Sequence, residues 1–145
     1  MRDHRELPAF QQSHDLVLAV HEAVGRIPGD MGGLGSRMVA AAHSATAAVA
    51  RACAVPTEQF GGQMDEASRR LREIGYYIDI AQKMGYLPLD AAVELLEKQT
   101  LAAMEVNALL LEEGGETMRT GVLPEPAIDW LASEILASLS SSSDR

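Results

Sequence analysis

The most informative segment of the chain is TEQFGGQMDEASRRLREIGYYIDIAQKM, residues 57–84. Large and small apolar side chains recur in it at alternating spacings of four and three residues, which places them on one face of a helix. The residues of this face are Phe60, Met64, Ala67, Leu71, Ile74, Ile78 and Ala81. The segment therefore predicts a long amphipathic helix that buries this face against other helices.

Three further helices are predicted on either side of this segment. The first covers residues 9–27, and the second covers residues 33–54, where alanine, the best helix former, is abundant. The fourth covers residues 89–113 and repeats the same spacing with Leu89, Val93, Leu96, Thr100, Ala103, Asn107 and Leu110. Short breaks rich in glycine and proline separate the helices, and no run has the period-two pattern of a strand. We expect an all-α, up-down-up-down four-helix bundle.

The domain organisation follows from these breaks. Residues 1–113 are expected to form the bundle, and residues 114–145, which begin with Gly114-Gly115, are expected to form a C-terminal extension. Pro126 is suited to open a short extra helix over about residues 126–139. The serine-rich end is expected to be disordered.

Composition and charge restrict the class of protein. The chain has 145 residues, of which 47% are hydrophobic and 23% charged, as in an ordinary globular domain. The single cysteine, Cys53, excludes an internal disulfide. The N-terminal residues lack an apolar leader, and no stretch is apolar enough for a membrane span, so a cytoplasmic location without a membrane partner is expected.

The net charge of −9 is unevenly distributed. Residues 37–83 carry a net charge of +1, whereas residues 84–145 carry −8. Acidic proteins repel nucleic acid phosphates. The charge therefore favours a protein partner over a nucleic acid.

Catalytic and metal-binding patterns are weak in this sequence. His14 and His21 are seven residues apart, about 10 Å along a helix, which is too far for one ion. His43 and Ser44 are adjacent and point in different directions, so His43 is expected to be packed or at an interface. No Glu-x-x-His motif of a dimetal bundle is present. We expect a protein without enzymatic activity, metal or cofactor; a pocket using these histidines is the less favoured alternative.

Two groups of residues are candidates for contacts with other molecules. Arg69, Arg70 and Arg72 lie within helical reach of acidic residues, so surface ion pairs are expected; alternatively, they bind nucleic acid together with Arg37 and Arg51. The second group is expected to set the oligomeric state or the register of the helices, because its members are polar or aromatic residues on or beside the apolar faces. Its members are Thr100, Asn107, Tyr76 and Tyr77.

The order of several short motifs resembles a known family. The motifs are Leu7-Pro8-Ala9-Phe10-Gln11, Leu34-Gly35-Ser36-Arg37-Met38, Ala41-Ala42-His43-Ser44, Glu58-Gln59-Phe60 and Ile80-Ala81-Gln82-Lys83-Met84-Gly85-Tyr86-Leu87. Over residues 7–112 the chain resembles the four-helix-bundle proteins encoded in intervening sequences of bacterial large-subunit ribosomal RNA genes. This family includes the accessory variability determinant of diversity-generating retroelements.

The resemblance implies a non-enzymatic bundle that assembles as a homopentamer. In the retroelement members a basic surface binds nucleic acid and a reverse transcriptase. This chain departs from that pattern, because it has Val39 and Ala40 where the family usually has two arginines. It also lacks the proline, asparagine, glutamate and glycine that usually follow Ser44. We therefore expect a homo-oligomeric accessory or adaptor protein with a macromolecular partner, and a nucleic-acid-binding module is the alternative.

Overall fold

A computed structural model describes residues 3–118, with side chains described as far as residue 113. This part of the chain contains no strand. The four long helices are α1 (Pro8–Gly25), α2 (Leu34–Ala52), α3 (Thr57–Lys83) and α4 (Leu89–Met118). Two single-turn 3₁₀ helices, His4–Glu6 and Met31–Gly33, precede α1 and α2.

The helices form a closed ring of neighbours. Helix α2 packs between α1 and α3, and α4 packs against α3 on one side and α1 on the other. Short connections join each helix to the next, so that consecutive helices run in opposite directions. The predicted all-α four-helix bundle is therefore confirmed.

Local signals set the ends of these helices. Pro8 occupies the first turn of α1, where its missing N–H costs nothing. Gly85, with φ 81°, follows the end of α3, and the Tyr86 N–H donates to the carbonyl of Ala81 at 2.9 Å. This is the capping arrangement that glycine favours, because the left-handed conformation does not strain a residue without a Cβ.

The apolar face predicted for α3 is confirmed. Six of its seven residues are buried, and Phe60 is half-buried at the start of the helix. Helix α2 contributes mainly small side chains to the same core, which lets its backbone approach α1 and α3 closely. The buried residues of α2 include Met38, Ala41, Ala42, Ala45, Ala48, Val49 and Ala52.

The apolar face predicted for α4 is wrong by one residue in register. The inward positions are Ala92, Leu95, Gln99, Ala102, Val106 and Leu109. In the predicted set, Ala103 is at the edge of the core, Leu89 and Val93 are exposed, and Leu96, Thr100, Asn107 and Leu110 are half-buried. Small residues at the inward positions permit close packing. The Gln99 amide donates to the Leu71 carbonyl of α3 at 3.1 Å, so its burial leaves it hydrogen-bonded.

The end of α4 also differs from the prediction. The helix continues through Gly114 and Gly115 to Met118, instead of ending at Glu113. Each glycine costs only about 1 kcal/mol relative to alanine inside a helix, which weakens a helix without ending it. The predicted short helix over residues 126–139 and the serine-rich end lie outside the described residues.

Candidate interaction surface

Helix α4 exposes four large apolar side chains on its outward side, among the exposed acidic residues Asp90, Glu94 and Glu97. The exposed fractions are 66% for Leu89, 45% for Val93, 48% for Leu101 and 51% for Met104, and Tyr76 of α3 is 61% exposed. Single exposed apolar side chains are common, whereas several on one surface mark a contact with another molecule. We refer to Tyr76, Leu89, Val93, Leu101 and Met104 as the α4 surface.

An open groove of about 340 Å³ lies between α3 and α4. Its lining includes Arg69, Arg72 and Asp65 from α3, and Asn107 and Leu110 from α4. Residues four apart on a helix share a face, so Tyr76 lies one turn beyond Arg72 on the same side of α3. The groove therefore adjoins the α4 surface.

On the side of α3 that contains Glu73, arginine and glutamate side chains form ion pairs with one another. Glu66 pairs with Arg69 at 2.7 Å and with Arg70 at 2.9 Å, and Glu73 pairs with Arg70 at 3.1 Å. These pairs are the surface ion pairs that the helical spacing predicts. Much of the positive charge of the predicted basic cluster is therefore compensated by carboxylates on the same helix.

Tyr77 extends this network. Its hydroxyl donates to the Glu73 carboxylate at 2.6 Å. This hydrogen bond, together with Arg70 and Arg37, holds the pKa of Glu73 below its ordinary value. The same hydrogen bond raises the pKa of Tyr77, because it stabilises the protonated phenol beside an anion.

The five arginines considered for nucleic acid binding are divided between different contacts. Arg69 and Arg72 line the groove beside α4. Arg37, from α2, lies close enough to Glu73 to lower the pKa of that carboxyl, and Arg70 joins the same cluster. The Arg51 Nε donates to the Gln63 side-chain oxygen at 3.1 Å. The structure therefore links Arg37, Arg70 and Arg69 through Glu73 and Glu66, and it places Arg69 beside Arg72 in the groove. Arg51 makes a separate contact.

The residues considered for oligomer or register specificity are also separated. Asn107 lines the groove, and Thr100, seven residues earlier, is half-buried on the same side of α4. Tyr76 belongs to the α4 surface, whereas Tyr77 bonds to Glu73. The buried polar contact between α3 and α4 is made by Gln99. Periodicity does not identify Gln99, because the face that it predicts for α4 is one residue out of register.

A cross-helix histidine pair was also missed. His21 of α1 and His43 of α2 face each other with their Nε2 atoms 2.8 Å apart. His43 is thus an inter-helix histidine, although its ring is exposed. His14 lies apart from this pair and stacks on Phe10, with ring centroids 5.8 Å apart. Only the relative register of α1 and α2, which periodicity does not define, brings His21 and His43 together.

Comparison with known protein families finds no family model that matches this chain, and comparison with curated proteins finds no matching relative. The family resemblance therefore rests on the motifs quoted above. Over residues 3–118, none of the helices combines the length and the apolar character that crossing a membrane requires.

Proposed function

We propose that the protein is a non-enzymatic accessory protein that assembles with copies of itself and binds a partner protein. The observation that carries this proposal is the α4 surface, with its five large side chains between 45% and 66% exposed. Burying such side chains between subunits is favourable by about 25 cal/mol per Å² of apolar area removed from water.

The position of these side chains supports an intermolecular role. The core of the bundle is filled without them, because α4 presents Ala92, Leu95, Ala102 and Val106 inward. Their removal from water therefore requires another molecule or a segment outside the described residues. A second copy is the occupant proposed here, and the family resemblance supports a homopentamer.

The assembly has a characteristic dependence on salt. Each copy carries a net charge of −9, so copies repel one another and added salt screens that repulsion. An apolar contact between these copies is therefore expected to strengthen as salt is raised. Binding of phosphate groups by arginine has the opposite dependence, because salt competes for the charges.

Light scattering coupled to size-exclusion chromatography tests the proposal. The chain is expected to form an oligomer at micromolar concentration, and Met104→Glu is expected to shift it towards the monomer. Leu18→Glu is the matched control, because Leu18 is 55% exposed on α1 and belongs to no part of the α4 surface. A wild-type monomer, or dissociation by Leu18→Glu instead of Met104→Glu, would contradict the proposed assembly.

Nucleic acid binding is the competing function, and the open groove beside Arg69 and Arg72 is the observation in its favour. The Glu66 carboxylate, which pairs with Arg69 at 2.7 Å, and Asp65, which lines the same groove, oppose it. Fluorescence polarisation with labelled RNA and DNA separates the two functions. Undetectable binding at low salt supports the protein partner. Binding that falls steeply with salt, and with the double variant Arg69→Gln/Arg72→Gln, would support nucleic acid instead.

A further inference from the structure

A second row of large apolar side chains lies beyond α4 in the sequence. It belongs to residues 126–139, for which the sequence predicts a short helix. Spacings of three or four residues place the row on one side of that helix, and its members are Ile128, Leu131, Ile135 and Leu139. An isolated helix of about 14 residues is marginal in water. A helix in this segment therefore needs a surface against which its apolar side can pack.

The length of this segment matches that of the α4 surface. Leu89 and Met104 are 15 residues apart, and at about 1.5 Å per residue their separation along α4 is about 22 Å. A helix over residues 126–139 would be about 21 Å long. One such helix is therefore long enough to contact α4 from Leu89 to Met104.

The acidic residues of α4 disfavour a contact between two copies of α4 itself. Asp90, Glu94 and Glu97 lie among the apolar side chains of the α4 surface, and all three are exposed. Two α4 helices packed through this surface would bring like charges together and remove them from water, which is costly. A second copy is therefore better suited to bind through another element.

Residues 126–139 carry charges that suit the border of the α4 surface. Asp129 and Glu134 are the charged residues of the segment. Each is adjacent in sequence to a member of the apolar row, so it falls at an edge of the apolar side of the predicted helix. The groove that adjoins the α4 surface is lined by Arg69 and Arg72 and by one aspartate. An acidic edge of the segment can therefore lie beside these arginines.

The connection between α4 and the segment favours a contact with another copy. Met118 is the last described residue of α4. A segment that folds back to begin beside Met104 must cover about 21 Å along α4 and about 10 Å to the side, or about 23 Å in all. The chain from Met118 to Pro126 reaches at most about 26–29 Å, so residues 119–125 would be nearly fully extended. A parallel start beside Leu89, about 43 Å back, is out of reach. Strained connections of this kind favour exchange of the element between copies.

We propose that residues 126–139 of one copy pack on the α4 surface of a second copy. This inference rests on the proposed function, in which a second copy covers the α4 surface, and it names the segment of that copy that makes the contact. The apolar row of the segment packs along Leu89, Val93 and Met104, and both sets of side chains are removed from water.

Cross-linking of the full-length chain with a short bismaleimide tests this contact. In a Cys53→Ala background, one variant carries Met104→Cys with Ile128→Cys and another carries Leu89→Cys with Ile128→Cys, so that either direction of the segment is detected. At least one variant is expected to give covalent dimers on a denaturing gel. Mass spectrometry of these dimers is expected to find position 128 joined to position 104 or 89. Leu18→Cys with Ile128→Cys is the matched control, because Leu18 is exposed on α1 outside the α4 surface.

Light scattering of the same variants separates failure of this inference from failure of the proposed function. Links confined to single chains would show that the segment packs on its own copy and would overturn the exchange between copies. An oligomer without links, or with equal linking in the control, would also overturn it but would leave the assembly of copies intact. A monomer without links would overturn both the inference and the proposed function.

A charge introduced into the segment gives a second measurement that does not depend on cross-linking. Ile135→Glu is expected to raise the dissociation constant of the oligomer at least about 10-fold, because it places a carboxylate in the contact. Ala137→Glu introduces the same charge on the opposite side of the predicted helix and is the matched control. Light scattering over a dilution series measures both. Equal effects of the two variants, or no effect of Ile135→Glu, would contradict the proposed contact.

Discussion

Helices α3 and α4 lie side by side but differ in how many of their large apolar side chains they bury. Helix α3 buries Met64, Leu71, Ile74 and Ile78 in the core. Helix α4 buries Leu95, Val106 and Leu109, but it fills the rest of its inward face with two alanines and Gln99, and it exposes Leu89, Val93, Leu101 and Met104. The apolar face of α3 therefore serves the stability of one chain, whereas the exposed face of α4 is available for another molecule.

The largest expected effect comes from truncating leucines on the two helices. Leu71→Ala removes a fully buried side chain of α3 and is expected to lower the free energy of unfolding by about 2–5 kcal/mol. Leu89→Ala makes the same chemical change at an exposed position of α4 and is expected to cost less than about 0.5 kcal/mol. Urea denaturation followed by circular dichroism measures both.

Protein concentration has to be varied in this experiment, because self-association through α4 adds to apparent stability. Extrapolation to low concentration isolates the contribution of one chain. If the two leucine variants then lose equal stability, the contrast between the helices is wrong, and the exposed face of α4 is needed for the fold of one chain.

A second, smaller effect is expected from the two amides of α4. Gln99→Ala removes the hydrogen bond to the Leu71 carbonyl and leaves unfilled space, so it is expected to cost about 1–3 kcal/mol. Asn107→Ala makes a comparable truncation at the open groove and is expected to cost less than about 0.5 kcal/mol. Equal costs would show that Asn107 helps to fix the α3–α4 register, as the sequence alone suggests.

The sequence predicts more of α3 than of α4, for a physical reason. In α3 one set of apolar residues dominates every turn, so periodicity defines the buried face. In α4 two sets of residues overlap. The predicted set begins with Leu89 and Val93, and the inward set begins with Ala92, one residue before Val93. The choice between them depends on packing against the neighbouring helices, which includes the hydrogen bond from Gln99 to the Leu71 carbonyl, 28 residues away along the chain.

The candidate sites show the same limit. The pairs of Arg69 and Arg70 with Glu66 were predictable, because residues three and four apart on a helix are neighbours. The contact between His21 and His43 was not, because these residues are 22 positions apart and belong to different helices. Local spacing therefore predicts contacts within a helix, and packing geometry is needed for contacts between helices.

A third prediction uses the glycines of α3 to probe its approach to α4. A Cβ at Gly61 would meet no atom within 4 Å, so Gly61→Ala is expected to stabilise the protein by about 0.5–1 kcal/mol through helix propensity. A Cβ at Gly75 would lie 3.4 Å from the Gln99 Nε2. Gly75→Ala is therefore expected to gain less, because Gln99 already occupies the neighbouring space.

Thermal denaturation compares the two glycine variants with wild type under one set of conditions. The comparison is informative because both substitutions remove the same backbone entropy from the unfolded chain. A gain at Gly75 equal to that at Gly61 would mean that Gln99 does not hold α4 close to α3 at this point.

The smallest expected effect concerns Tyr76 and Tyr77, which are adjacent in sequence. Tyr76 belongs to the α4 surface, whereas Tyr77 bonds to Glu73 in the ion-pair network of α3. Tyr77→Phe removes the hydrogen bond to Glu73, whose pKa is lowered in the folded protein. Because the pKa of Glu73 is lower in the folded state, its ionised form stabilises the fold. This contribution is complete at pH values above the ordinary glutamate pKa of about 4.3, and it is lost as the pH falls through the folded-state pKa. Because Glu73 is partly exposed, solvent screening limits the effect to about 0.5 kcal/mol.

Urea denaturation at several values from about pH 7 to about pH 3 measures this dependence for both tyrosine variants. The difference between wild type and Tyr77→Phe is expected to be constant near neutrality and to shrink in acid. Tyr76→Phe is the matched control, because the Tyr76 ring is 61% exposed and its neighbour makes the bond to Glu73. If the difference stayed constant into acid, Tyr77 would not stabilise the fold through the ionised Glu73 carboxylate. An equal acid-dependent loss in Tyr76→Phe would mean that the two flanks of α3 are not electrostatically distinct.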